Sequence, residues 1–204
     1  MKITKRDIEI IKFINEVGFC LTPHLCQRFS IKYWRLYKIM RRLIVAGLVV
    51  HKRTFHGQPG VYFLTKEGAG FTDLPVVDKV SYAIYEHQVM LTSVILKLVK
   101  KYPDANWISE RQLIHEKFYD GIGKRGHISD GIFQFPDGKQ VAIEVELSSK
   151  GKHRIERILK FYAAQLAIKE VWYFCAKGVI PVITALADKK PFVKVHSVDE
   201  FLHE

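Results

Sequence analysis

Along the first half of the chain, hydrophobic positions recur at helical spacing three times and then at strand spacing. Ile8, Ile11, Phe13, Ile14 and Val17 follow Thr4, a residue suited to capping, and Gly18 closes the run. Thr22-Pro23, an N-cap followed by a first-turn proline, opens a short second helix through Leu25, Cys26 and Phe29. Leu36, Ile39, Met40, Leu43 and Ile44 then make one stripe on a third helix, from about Lys32 to Ala46, with Gly47 at its C-terminal cap. Beyond it, Leu48 to Arg53 and Val61 to Leu64 read as two strands about the turn Gly57-Gln58-Pro59-Gly60. Asp73-Leu74-Pro75 breaks the pattern, and a long helix runs from about Asp78 to Lys101.

The second half alternates strands with helices. Trp107 to Ser109 and His127 to Phe135 are expected strands, and Gly138 turns the chain into a third, Lys139 to Ser148. A helix from about Lys152 to Ile168, a strand from Val171 to Ala176, a helix near Val182 to Ala187 and a last strand, Phe192 to His196, complete the series. Such alternation implies a mixed or parallel sheet covered on both faces. The chain is therefore expected to be α/β in its sheet domain and α+β overall. Residues 1–75, three helices and a hairpin, make a winged helix-turn-helix domain, and residues 76–204 make the sheet domain.

Composition narrows the function. With 204 residues, 48% of them hydrophobic, the chain can bury real cores, which excludes collagen-like, disordered and coiled-coil classes. The net charge of +11 points to a polyanion, nucleic acid or an anionic membrane surface. It is concentrated at the front: residues 1–75 hold 13 Lys and Arg against five Asp and Glu, whereas the rest hold 19 against 16. In a winged helix the third helix enters the major groove and the hairpin reaches phosphates or the minor groove. Lys32, Arg35, Lys38 and Arg42 on that helix, with Lys52, Arg53 and His56 on the hairpin, make double-stranded DNA the expected partner; Tyr33, Trp34 and Tyr37 interleave with them. The plainer alternative is that these charges only solvate a small domain.

Apolar runs such as Leu43 to Val50 fall short of the roughly 18 to 20 residues needed to span a bilayer, and Lys, Arg, Asp and Glu all occur within the first nine residues. No membrane partner and a cytoplasmic location are expected. Three cysteines, Cys20, Cys26 and Cys175, suit a reducing compartment rather than a disulfide framework. Cys20, His24 and Cys26 lack an evident fourth zinc ligand, and no Walker loop is present.

In the strand from Lys139, Val141, Ile143, Val145 and Leu147 take one face and Ala142, Glu144, Glu146 and Ser148 the other. Two adjacent carboxylates on a covered sheet cost on the order of several kcal/mol unless a cation or hydrogen-bond donors compensate. A hairpin at Asp137-Gly138 would bring Asp130 to the pair, and three such oxygen donors suit Mg²⁺ or Mn²⁺. The alternative is a solvent-facing edge strand with ordinary surface charge. Arg154 and Arg157, with His153 and Lys160, lie off the apolar stripe of the next helix, either as a phosphate-facing ridge or as a solvated face.

Asp130, thirteen intervening residues, then Glu144-Val145-Glu146 on a hydrophobic strand, followed by a basic helix, resembles the PD-(D/E)xK nuclease superfamily with its restriction-endonuclease-like fold. With the winged helix in front, the chain resembles the replication-relaxation family of plasmids and mobile elements. That resemblance implies a DNA-binding protein acting in replication, relaxation or mobilisation, with Asp130 and Glu144 as metal-binding acidic positions and Glu146 beside them. It also implies nicking of DNA with Mg²⁺ or Mn²⁺. The sequence departs from the pattern at Ser129, where proline precedes the aspartate, and at Glu146, where lysine stands. Lys150, four residues on, is the first candidate to replace that lysine and Lys152 the second; His127 and Gln165 are further site candidates. The alternative is a non-enzymatic regulator or relaxosome accessory factor with a degenerate nuclease fold. Relaxosome or replication proteins and a second copy of the chain, as a homodimer, are the other expected partners.

Overall fold

A computed structural model of the chain describes residues 2–77, 80–119, 126–148 and 151–204. Helix α1 (Lys5–Glu16) begins at a reciprocal cap: the Thr4 hydroxyl accepts from the Asp7 N–H at 3.2 Å, and the Asp7 carboxylate accepts from the Thr4 N–H at 2.8 Å. Helix α2 (Thr22–Phe29) starts one residue earlier than the Thr22-Pro23 signal suggests. Leu21 is the cap residue, and His24 Nδ1 accepts its N–H at 3.3 Å. Helix α3 (Tyr33–Val45) turns Leu36, Met40 and Leu43 into the core, at the i, i+4, i+7 spacing of one face. Ile44, expected in that stripe, is exposed, because it lies at the stripe's edge.

Strands β1 (Val49–Lys52) and β2 (Val61–Leu64) pair antiparallel with Val49 opposite Leu64. Cys20 adds a bridge to Tyr62, with N–H to O distances of 3.1 and 2.9 Å. A single turn, α4 (Lys66–Ala69), follows. Ile10, Ile11, Ile14, Leu25, Leu36, Met40 and Leu43 form the center of this core, each burial contributing roughly 1.5–3 kcal/mol.

Helix α5 (Tyr82–Lys101) comes next; the expected start at Asp78 lies outside the described residues. The chain divides into two compact units, residues 1–96 and 97–204, so the division falls inside α5, whereas the break at Pro75 marks where the first unit's small helices end. The first unit includes Tyr85, packed with Phe19 and Val61, and Leu96, part of its main core.

In the second unit, β3 (Asn106–Ser109), α6 (Glu110–Tyr119), β4 (Gly131–Gln134), β5 (Gln140–Glu146), α7 (Lys152–Ala163), β6 (Ile168–Cys175), α8 (Ile180–Ala187), β7 (Val193–Ser197) and α9 (Val198–His203) follow in order. One five-stranded sheet runs β3-β4-β5-β6-β7, antiparallel across the first three strands and parallel across the last three. The β4–β5 hairpin forms at the expected turn. Gly138 has φ +83°, a conformation that suits glycine, and its N–H donates to Phe135 O at 2.9 Å. On one face of the sheet, Ala142, Tyr173 and Cys175 pack on Ile155, Leu159 and Tyr162 of α7 and Ile183 of α8. Helix α7 stops five residues short of Ile168, which instead opens β6; Leu166, expected on its buried side, is 89% exposed. Among the described residues no helix is long and apolar enough to cross a membrane.

Candidate nucleic-acid interface and carboxylate site

With Leu36, Met40 and Leu43 facing inward, a 100° step per residue puts Trp34, Lys38, Arg41 and Val45 at the middle of the outward face of α3. Tyr33, Trp34 and Tyr37 are 64%, 61% and 61% exposed. The Lys38 ammonium lies 5.4 Å from the centroid of the Trp34 ring. Lys32, Arg35 and Lys38 are exposed, as are Lys52 and Arg53 on the hairpin. Arg42 differs: its guanidinium donates to Asp7 Oδ1 at 2.5 Å, where Asp7 is almost wholly buried. Arg41, which sequence reasoning passed over, takes the outward position, and the 34, 38, 41 spacing opposite the core stripe was the available signal. Beside it an open cleft of about 790 Å³ is lined by Lys38, Arg41, Arg42 and Val45 with Ile3 and Leu48. On the hairpin, His51 stacks on Tyr62 across the strand pair at 4.3 Å.

The carboxylates sit at the middle strand of the second unit's sheet. Strand β4 is shorter than the expected run from His127, because Asp130 bonds sideways: its Oδ2 accepts from Val145 N–H at 2.7 Å and its carbonyl from Glu110 N–H at 3.1 Å. Since Gly131 pairs with Ile143, the next step backward sets Asp130 across from Glu144. Glu144 and Glu146 are each 5% exposed, so they do not line a solvent-facing edge. The Tyr162 hydroxyl donates to Glu144 Oε1, and His127 Nε2 lies 2.6 Å from the same oxygen. Burial pushes the Glu144 carboxyl above the ordinary range; the hydrogen bond from His127 draws it back, and the Asp130 charge adds to the rise. Tyr173, opposite Glu144 on β6, has a buried hydroxyl without a hydrogen-bond partner among the described residues. Burial, with Glu144, Glu146 and Asp130 nearby, raises that hydroxyl as well.

His127 connects this buried group to the surface. Its ring meets Phe161 and Tyr162 edge-on at 6.0 and 5.4 Å, and it lines a pocket of about 530 Å³ with Gly126, Arg154, Arg157, Ile158 and Phe161. Arg154 and Arg157 are exposed, one turn apart on α7, which makes this an anion-attracting mouth. Lys152 is exposed at the start of α7, and Gln165 is exposed past its end rather than on the helix. Lys150 lies outside the described residues. Among the described residues, no three His, Cys, Asp or Glu side chains gather into a group able to hold a metal ion. Comparisons with protein-family models, with curated proteins and with solved structures give no match.

Proposed function

We propose that this chain is a double-stranded-DNA-binding protein whose first unit is a winged helix with α3 as its recognition helix. The observation that carries the reading is the outward face of α3: Lys32, Arg35, Lys38 and Arg41 are exposed around three aromatic rings, with Lys52 and Arg53 exposed on the hairpin that follows. The order of three helices, then an antiparallel hairpin that Cys20 extends by one bridge, supports it.

The second unit is read as a restriction-endonuclease-like domain acting on the same DNA, in replication, relaxation or mobilisation of a plasmid or mobile element. Its support is the antiparallel run β3-β4-β5 continued in parallel by β6 after α7, with Asp130 and Glu144 across from each other. Asp130 and Glu144 suit a hard divalent cation in their chemistry: the donors are carboxylate oxygens, Glu144 is held in a charge-penalised state, and the Tyr173 hydroxyl beside them lacks a partner among the described residues. Asp130 and Glu144 would supply carboxylate oxygens to Mg²⁺ or Mn²⁺, which when bound would polarise a phosphodiester. Arg154 and Arg157 would bind a backbone phosphate at the pocket mouth, and His127 would orient Glu144. A second reading, a regulator or relaxosome accessory factor that does not cut, is favoured by Glu146 in the lysine slot and by Tyr162 and His127 both engaging one Glu144 oxygen.

The test pairs fluorescence anisotropy on duplex DNA at several salt concentrations with a nicking assay on supercoiled plasmid in Mg²⁺ or Mn²⁺. Salt-dependent binding with nicking supports the first reading, binding without nicking the second, and no binding overturns both.

A further inference from the structure

Helix α3 carries more aromatic surface than reading a paired duplex requires. Its buried line is complete with Leu36, Met40 and Leu43, so Tyr33, Trp34 and Tyr37 are not surplus core, and each leaves more than 60% of its surface in water. Base edges in the major groove are read by the forked donors and acceptors of Arg, Lys, Asn and Gln. Tyrosine and tryptophan offer a single hydroxyl or a single N–H, and otherwise a flat apolar face. What this stretch presents is three such faces.

Their spacing adds a constraint. Tyr33 and Tyr37 stand one turn apart, about 6 Å along the axis, with Trp34 about 100° round the helix. Bases stacked within a duplex strand follow at about 3.4 Å, too closely for successive ones to meet rings spaced in this way. Bases pulled out of the stack are not so restricted. On the hairpin that follows, the exposed His51 ring stacks on Tyr62 at 4.3 Å.

Charge decides the class of partner. The stretch from Tyr33 to Val45 contains no acidic residue, Lys38 sits over the Trp34 ring, and Lys32, Arg35, Arg41, Lys52 and Arg53 surround the rings in exposed positions. Cations tracking a backbone beside rings for its bases are the elements of single-strand recognition, whereas a neutral apolar protein segment would leave those charges without counterparts.

We infer that the exposed Tyr33–Trp34–Tyr37 face of α3 is a stacking platform for unpaired DNA bases, so that the preferred ligand is melted or bubble-containing DNA rather than a fully paired duplex. This inference rests on the DNA-binding reading and adds the state of the DNA to it. The probes are one mixed-sequence duplex, the same duplex with a four-nucleotide unpaired bubble, and one of its single strands, with Kd from anisotropy and tryptophan emission followed together. The expected result is at least tenfold tighter binding to the bubble and the single strand than to the duplex, with quenching that W34A abolishes. Trp34→Ala and Tyr37→Ala, both at surface positions, are each expected to weaken bubble binding about tenfold or more and so to bring the ratio of bubble to duplex affinity down toward one. Equal, salt-dependent affinity for duplex and bubble overturns the platform and leaves the DNA-binding reading standing. Failure to bind any of the three overturns both. A W34A/Y37A double variant that binds the bubble like wild type but sediments as a smaller species overturns the platform in favour of a contact between copies of the chain.

Discussion

Arg42 reaches from the last turn of α3 to donate to Asp7 at 2.5 Å, while the other oxygen of Asp7 completes the cap of α1. One buried carboxylate therefore joins two helices of the first unit. Arg42→Ala leaves Asp7 buried without its charged partner and is expected to cost about 1–3 kcal/mol. Thermal or urea unfolding reads that loss, and DNA affinity measured well below the new melting point should stay near wild type.

Among the described residues Arg35, Lys38 and Arg41 show no such buried ion pair, and alanine at each is expected to weaken DNA binding without lowering stability. Every phosphate contact removed should reduce the slope of log K against log salt by about 0.9. A slope unchanged in all three variants would remove α3 from the interface.

For the carboxylates, the expected behaviour couples pH to metal. A group whose pKa is raised by folding contributes stability that is present below its ordinary value, 4.5 for Glu144, and is lost as pH rises through the folded value. Stability should therefore fall with pH above about 4.5 in metal-free buffer, and Mg²⁺ or Mn²⁺ should restore it by binding the charged form, by about 2.7 kcal/mol at a hundred times its Kd. Glu144→Gln should remove both effects in a melting series. Asp130→Asn and Glu144→Gln should abolish any nicking yet keep DNA affinity.

Glu170 on β6 titrates in the opposite sense. Burial raises its carboxyl, but hydrogen bonds from Lys139, the Trp172 indole and Lys194 together outweigh that and bring it to about 2. A lowered pKa contributes stability above the ordinary carboxylate value that is lost as pH falls through the folded one, here between about 4.5 and 2. Glu170→Gln should destabilise at pH 7 by a solvent-screened part of the roughly 3 kcal/mol that the full shift represents, and much less at pH 2, by urea titration.

Local signals located most of these elements. The Asp137-Gly138 turn and the alternation from Val141 to Glu146 were enough to find the β4–β5 hairpin and to set both glutamates on one face. Helix α6 escaped because Leu113 and Ile114, set among Glu110, Arg111, Glu116 and Lys117, are too few to mark a stripe. The direction in which Arg42 turns was also hidden: Arg41 and Arg42 are chemically alike, and only Asp7, thirty-five residues earlier, separates their roles. His127 and Tyr162 converge on Glu144 from segments 17 and 18 residues away in sequence, a meeting that depends on how α7 crosses the sheet.

The five strands of the second unit lie in the sheet in the order in which they occur in the chain. Each strand therefore has its pairing edge waiting when synthesis delivers it, and no early strand stands open for a distant partner. Growth can proceed vectorially, from β3 through α6 to β4, by a tight hairpin to β5 and then by one crossover at a time. This keeps contact order low for a partly parallel sheet and shortens the interval in which a bare edge could recruit another molecule.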